Sequence, residues 1–255
     1  KIETSLRSKG VILSQGSDEY NESGSVFNGY VRSRPAVIVR PTCVEDIHSA
    51  ILMARHRGIQ ITIKNGGHSA YGFSVREGCI VLDMQAFKDI QLDSKKETIT
   101  VGAGVLSSEL DRVLAPYSLA VPLGDCGGVG VAGLALGGGN GFLSKKHGLT
   151  CDSILECSMV DYRGRHVQVG VNSNEEILWA MRGAGQNNFG VVTSITFRVL
   201  RVPDKLVTGS IFLSLDSAPH VFQKFVAMMN DAPEELSLFI RINREYNGQP
   251  GIRIY

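Results

Sequence analysis

The sequence predicts a mixed α+β fold built in two structural units. Three observations carry this. Residues 36–63 read as strand, helix, strand; residues 159–200 read as a hairpin, a short helix and a long alternating strand; and the pattern restarts after Pro203. The 255 residues, 43% of them hydrophobic, are enough for a sizeable core.

Taken in order, Val37–Val39 are β-formers stopped by Pro41. Thr42 and Glu45 form a T-x-x-E capping box at a helix start. Val44, Ile47, Ile51 and Ala54 then make one apolar stripe, and Gly58 ends the helix. His48 and His56 lie off the stripe and are expected in solvent. Strands follow at Ile80–Asp83 and Glu97–Val101, then a helix at Ser107–Leu114. "MVDYRGRHVQV" is a hairpin turning near Arg163-Gly164, "NEEILWAMRG" a helix and "NFGVVTSITFRVL" a long strand. Beyond Pro203 come a strand in "KLVTGSIFLSL", a helix in "APHVFQKFVAMMNDA" and a hairpin with Asn247-Gly248 in its turn. The last strand is expected to lack neighbours, so 204–255 reads as the truncated beginning of a second domain.

A net charge of +1 with scattered basic residues gives no case for nucleic acid or an anionic membrane surface. No apolar run approaches the roughly 18–20 residues that span a bilayer. The opening "KIETSLRSKG" lacks the apolar stretch of a signal peptide, and the sequon Asn21-Glu22-Ser23 does not choose a compartment; secreted and cytoplasmic settings both stay open. Five cysteines without a C-x-x-C pair point to buried free thiols and no metal site, with Cys126 set apart.

Glycine is concentrated in "GDCGGVGVAGLALGGGNG". Gly128, Gly130 and Gly133 match G-x-G-x-x-G, with Asp152 near the ribose-binding position of a Rossmann fold. That reading is rejected because "LALGGGNG" should not sustain the helix the fingerprint requires. Extended backbone approaching a large flat ligand is expected instead, with a tightly packed, ligand-free turn as the alternative. No P-loop motif occurs. Asn65-Gly66-Gly67-His68-Ser69 forms a second cradle, whose successive amides suit a pyrophosphate. Two cradles on either side of a sheet suggest one extended dinucleotide.

Five stretches together, "RPAVIVRPTCVEDI", "NGGHSAYGFS", "VGAGVLSSEL", "CGGVGVAGLALGGGNGFLSKKHGL" and "EILWAMRGAGQNNFGVVTSITF", resemble the FAD-linked oxidases of the p-cresol methylhydroxylase/vanillyl-alcohol oxidase superfamily, in the berberine-bridge-enzyme-like branch. The resemblance runs from about Tyr20 to Val202. It implies an FAD-binding domain over 1–203, with subdomains of about 1–103 and 104–203, followed by the start of an α/β substrate domain with an antiparallel sheet. It also implies FAD joined covalently to His68, since a neutral imidazole is a competent nucleophile. Cys126 stands where bicovalent members carry a second bond. Gly127-Gly128 replaces their usual Pro-Thr pair, which leaves a free thiol beside the flavin as the alternative. The resemblance assigns cofactor contacts to Asn65, Gly66, Gly67, Ser69, Phe73, Gly124, Val129, Gly130, Gly133, Gly137, Gly138, Asn140, Gly141, Val191 and Val192. Val129 goes with oxygen as electron acceptor.

The function implied is an FAD-dependent oxidase. Hydride passes from a hydroxyl- or amine-bearing small molecule (a sugar, an alcohol or a natural product) to flavin, and oxygen becomes hydrogen peroxide. An NADPH-dependent flavin reductase on the same fold and a non-catalytic flavin carrier are the alternatives. Tyr71 is the local candidate for a base, with packing on the pyrophosphate loop as its other role. Trp179 and Arg182 are expected to brace the second subdomain, and His147 to order the glycine loop. Oligomeric state is left open.

Overall fold

The structure, a computed structural model, describes residues 9–186, 188–203, 205–244 and 248–255. Its first sheet joins β1 (Val11–Leu13), β2 (Val37–Arg40), β3 (Ile61–Lys64) and β4 (Ile80–Asp83) in the order β1-β2-β4-β3. β4 pairs in parallel with β2 and β3, while β1 is antiparallel. Alternation along the strands sends side chains to two buried faces, as a parallel sheet demands. Val37, Val39, Ile80 and Leu82 enter the main core, with Ile47, Ala50, Ile51 and Ala54 of helix α2 (Val44–Arg57). Ile38 and Val81 face a smaller cluster with Leu13 and with Tyr20 of α1 (Asp18–Gly24). Gly58 closes α2 in the left-handed conformation, as expected.

The capping box does not form. The cap is Cys43, and Thr42 lies one residue outside it, so its amide and hydroxyl donate to Asp46 at 2.8 and 3.0 Å. Asp46 is buried and Glu45 exposed. His56 is exposed as expected, and so is His48, but His48 Nδ1 also lies 2.8 Å from the Gly164 carbonyl and ties α2 to the hairpin turn.

The second sheet is antiparallel throughout, in the order β5-β6-β10-β8-β9. It comprises β5 (Ile90–Asp93), β6 (Thr98–Gly102), β8 (Ile154–Asp161), β9 (His166–Gly170) and β10 (Gly190–Arg198). Between them lie α3 (Ser107–Leu114), β7 (Leu119–Ala120), α4 (Val131–Leu136), α5 (Ser144–His147) and α6 (Glu175–Ala184). Strand β6 starts at Thr98 because Glu97 takes a positive φ of 53°. The long strand expected at 188–200 ends at Arg198, and β11 (Leu200–Arg201) pairs separately with β7.

Two readings are corrected here. "VAGLAL" is a short helix, α4, rather than extended backbone: Val131, Ala132, Ala135 and Leu136 bury one helical face, and Gly137 ends it after six residues. Trp179 does not brace anything. It is 79% exposed, because the buried residues of α6, Leu178 and Met181, occupy the other side of the helix. Arg182 does brace, donating to the Ile154 carbonyl at 3.1 and 2.5 Å. The cysteines are free; Cys79, Cys151 and Cys157 are buried, Cys43 is half-buried and Cys126 exposed.

A third sheet, in the order β12-β14-β13, contains β12 (Ile211–Ser214), β13 (Ile240–Arg244) and β14 (Pro250–Ile254), with α7 (Ala218–Asp231) between the first two. The last strand is therefore central and paired on both sides, not an open edge. Asn247 of the expected turn lies outside the described residues. Four contacts bring this sheet and its loops to the glycine region. Arg241 pairs with Asp125, and Lys146 with Glu235 at 2.8 Å. Lys145 donates to the Ala232 and Pro233 carbonyls, and Phe142 meets Phe239 edge to face. Among the described residues no helix is long and apolar enough to cross a membrane.

Candidate functional site

The site grows from the carboxyl end of β3, the position at which open parallel sheets present ligands. Asn65 stops the strand and anchors the turn: its side-chain amide donates to the Ala103 and Val105 carbonyls at 2.7 and 3.0 Å. Gly66 then lies flat against the second glycine stretch. A Cβ there would overlap the Gly128 carbonyl and sit 2.7 Å from the Gly130 nitrogen. On Gly130 a Cβ would meet the Asn65 side chain. The two cradles are thus in direct contact rather than separated by a sheet.

His68 follows, half-buried, its ring stacked on Phe27 with centroids 4.8 Å apart and an interplanar angle of 17°. Its Nε2 edge faces Gly128, where a Cβ would stand 3.1 Å away. The exposed Cys126 opens the turn that contains Gly128, closed by the Val129 amide donating to the Cys126 carbonyl at 3.2 Å. This turn is held by the start of α3. The first amides of a helix have no partner within it, and here Ser107 N donates to Val129 O at 2.9 Å and Ser108 N to Gly127 O at 3.0 Å. On the opposite side the Arg241–Asp125 ion pair holds the residue before Cys126.

The main-chain amides of Gly66, Gly67, His68 and Ser69, and of Cys126, Gly127 and Gly128, donate to no acceptor among the described residues. Such a run of free amides on a side-chain-free surface is suited to a phosphate or a polar ring edge. The expected residues further on are placed less uniformly. Gly124 packs near the Asn140 carbonyl, and Gly141 lies on Leu123 with its amide donating to Ser144 Oγ at 2.9 Å. That serine, rather than the exposed His147, orders the loop. Gln186 packs where a Cβ on Gly137 would stand, and its amide donates to the Gly133 carbonyl at 2.5 Å. Gly138 has φ +108°, and its carbonyl accepts from Cys151 N. Val191 and Val192 bury their side chains in β10. β10 pairs with β6 only from Ser194 onward, so the main chain of these two valines is open on that side. Tyr71 is 79% exposed and stacks on Phe73, and its hydroxyl has no hydrogen-bond partner among the described residues to orient it as a base.

Burial disfavours the thiolate at three of the other cysteines. Burial pushes Cys157 up to about 12, and burial also raises Cys151 and Cys43.

The family described as FAD binding domain matches residues 35–170, more than half of the chain. The chain belongs to this FAD-binding family. It lies within the p-cresol methylhydroxylase/vanillyl-alcohol oxidase superfamily that the motifs indicate, and FAD is its cofactor. Among solved structures, 6-hydroxy-D-nicotine oxidase of Arthrobacter nicotinovorans superposes with a TM-score of 0.92 at 28% identity, covering 100% of this chain and 56% of that one. The BBE-like 1 protein of Physcomitrella patens gives 0.89 at 29%, covering 100% and 55%. Glucooligosaccharide oxidase of Acremonium strictum, described as carrying a 6-S-cysteinyl, 8α-N1-histidyl FAD, gives 0.88 at 28%, covering 99% and 53%. The chain spans about half the length of the curated relatives it matches.

For an FAD-binding domain the geometry fits its cofactor: glycines where a Cβ would collide, free amides in sequence, and a histidine and an exposed cysteine at the same cradle. Two contributors were not singled out in the sequence, although Gln186 lies within the last of the five stretches. Phe27 reaches His68 from the segment before β2, and Gln186 reaches the glycines beyond α4. An aromatic followed by Asn-Gly in "SVFNGY" is the one local hint of the first.

Proposed function

We propose that this chain is the flavin-binding part of an FAD-dependent oxidase whose FAD is bonded to His68 and, through a second bond, to Cys126. Residues 1–203 form the flavin-binding domain in this reading, and 204–255 begin the substrate domain. The observation that carries it is the approach of the Cys126–Val129 turn to the His68 imidazole at Gly128, with no side chain between them. The amides of Gly66–Ser69 hold the pyrophosphate, and the glycines around Gly124, Gly130 and Gly141 let main chain approach the flavin. The open side of Val191–Val192 offers further main-chain donors and acceptors. The FAD held by these residues would supply the redox chemistry, taking hydride from a substrate and passing the electrons to dioxygen as hydrogen peroxide.

The residues of this chain orient and tether. Asn65 fixes the turn, the α3 amides fix the cysteine loop, and the ring system is held at one end so that a bulky hydroxyl- or amine-bearing substrate can lie over its face. Relatives named as oligosaccharide and hydroxynicotine oxidases support both substrate classes, sugars and amines.

Denaturing mass spectrometry with peptide mapping tests the reading. FAD mass retained on the peptides containing His68 and Cys126 is the expected result. Retention on His68 alone would make Cys126 a packing thiol. Loss of all flavin on denaturation would overturn the covalent assignment and favour a reductase with dissociable FAD.

A further inference from the structure

We infer that Phe27 is a positioning residue for the attachment of flavin to His68, an inference that rests on the covalent reading above. Three contacts join the segment 25–28 to the glycine turn. The Phe27 amide donates to the Gly67 carbonyl at 3.0 Å, the Asn28 side-chain amide donates to the Ala70 carbonyl at 2.7 Å, and the Phe27 ring stacks on the imidazole. The first two lie on either side of His68 in the chain and bring the segment into register with it. The third acts on the imidazole itself.

No hydrogen bond to the His68 side chain is found among the described residues, so the stacking of Phe27 is the ring contact available to orient it. Phe27 covers one face, and Gly128 lies beside the Nε2 edge, where the absence of a side chain leaves room. Phe27 is itself 72% exposed, so the stacked pair lies at the surface, open to a ligand approaching the cradle. Bond formation requires the imidazole lone pair to point at one carbon, and an imidazole free to rotate about its side-chain bonds presents that geometry for a smaller fraction of the time.

The step balances as follows. An imidazole nitrogen of His68 bonds to the 8α carbon of FAD, and one C–H bond of that methyl breaks. The methyl proton and the imidazole N–H proton, with the two electrons released, pass to dioxygen, which leaves as hydrogen peroxide.

The test uses the full-length protein, made flavin-free in a riboflavin-starved host and mixed with FAD in air. The flavin that survives denaturation on the His68 peptide is followed with time for the wild type, F27A, F27L and F27Y. A stacked aromatic pair predicts attachment slowed roughly 2- to 10-fold in F27A and F27L. F27Y, which keeps the ring, restores the wild-type rate. Thermal unfolding of each variant and FAD affinity before attachment are read in parallel, because a merely structural role would move those and would not distinguish leucine from tyrosine. Attachment at the wild-type rate in F27L, or equal slowing in F27L and F27Y, would overturn the role of the ring. Absence of flavin from the wild-type His68 peptide would overturn the covalent reading, and this inference with it. Normal wild-type attachment with unaffected variants would overturn this inference alone.

Discussion

His68 owes its setting to residues that have no side chain as much as to those that have one. Gly66 and Gly128 let two main-chain segments touch, and Gly130 makes room for the Asn65 amide. Alanine at 66 would place a methyl against the Gly128 carbonyl and the Gly130 nitrogen, both main-chain atoms that cannot rotate away. G66A is therefore expected to push the two turns apart at a cost of about 1–3 kcal/mol, read as a lower urea midpoint. It should also weaken FAD binding, measured by flavin fluorescence. Alanine at Gly133, where nothing lies near the added Cβ, is the control and should leave the midpoint within about 0.5 kcal/mol.

At the scale of the element, turns are secured by donors that would otherwise be idle. The first amides of α3 hold the cysteine turn, and the β8–β9 hairpin closes around Asp161. That carboxylate accepts from the amides of Arg163 and Arg165, both at 2.9 Å, and pairs with the Arg165 guanidinium at 2.7 Å. Burial works to raise its pKa, but the bonds from Arg165 and Arg163 outweigh it and hold the carboxyl below the usual range. A depressed folded value means that the unfolded chain takes up the proton first as pH falls. The stabilisation is present above the unfolded carboxylate pKa and is lost in acid as pH drops through the folded value. D161N is thus expected to cost about 1–3 kcal/mol at neutral pH, with the difference from wild type shrinking below about pH 4. Urea unfolding at the two pH values checks this; a pH-independent difference would show that the charge is not responsible.

Across the whole molecule, stability is distributed unevenly. The first two sheets share a continuous core, whereas among the described residues beyond Pro203 the buried apolar side chains are Val221 and Ile252. Amides of β12–β14 are expected to exchange with solvent at least roughly tenfold faster than those of β6, β8 and β10, as followed by hydrogen-exchange mass spectrometry. Equal protection would mean that the Arg241–Asp125 and Lys146–Glu235 pairs join the third sheet to the core as one cooperative unit. The elements that were legible in the sequence are the ones with a local cause. α2 and α3 carry a 3.6-residue stripe, β4 is a short β-branched run, and the β8–β9 turn has its glycine at φ +80°. The histidine and glycine motifs likewise mark a backbone cradle, and their resemblance to a known family marks it as one for flavin. α4 departs from the expected extended backbone: its glycine-rich surroundings argue against a helix on propensity alone, and packing of four apolar residues overrides that preference. The sequence by itself determined most of the element types, since repeat period and turn chemistry act between near neighbours, and its resemblance to a known family supplied the cofactor class and the candidate tether. Only the tertiary structure decided that Gly66 lies on Gly128, that Phe27 covers His68 and that Arg241 reaches Asp125. Contacts between distant stretches leave no period in the chain, and they exist only once the sheets have packed.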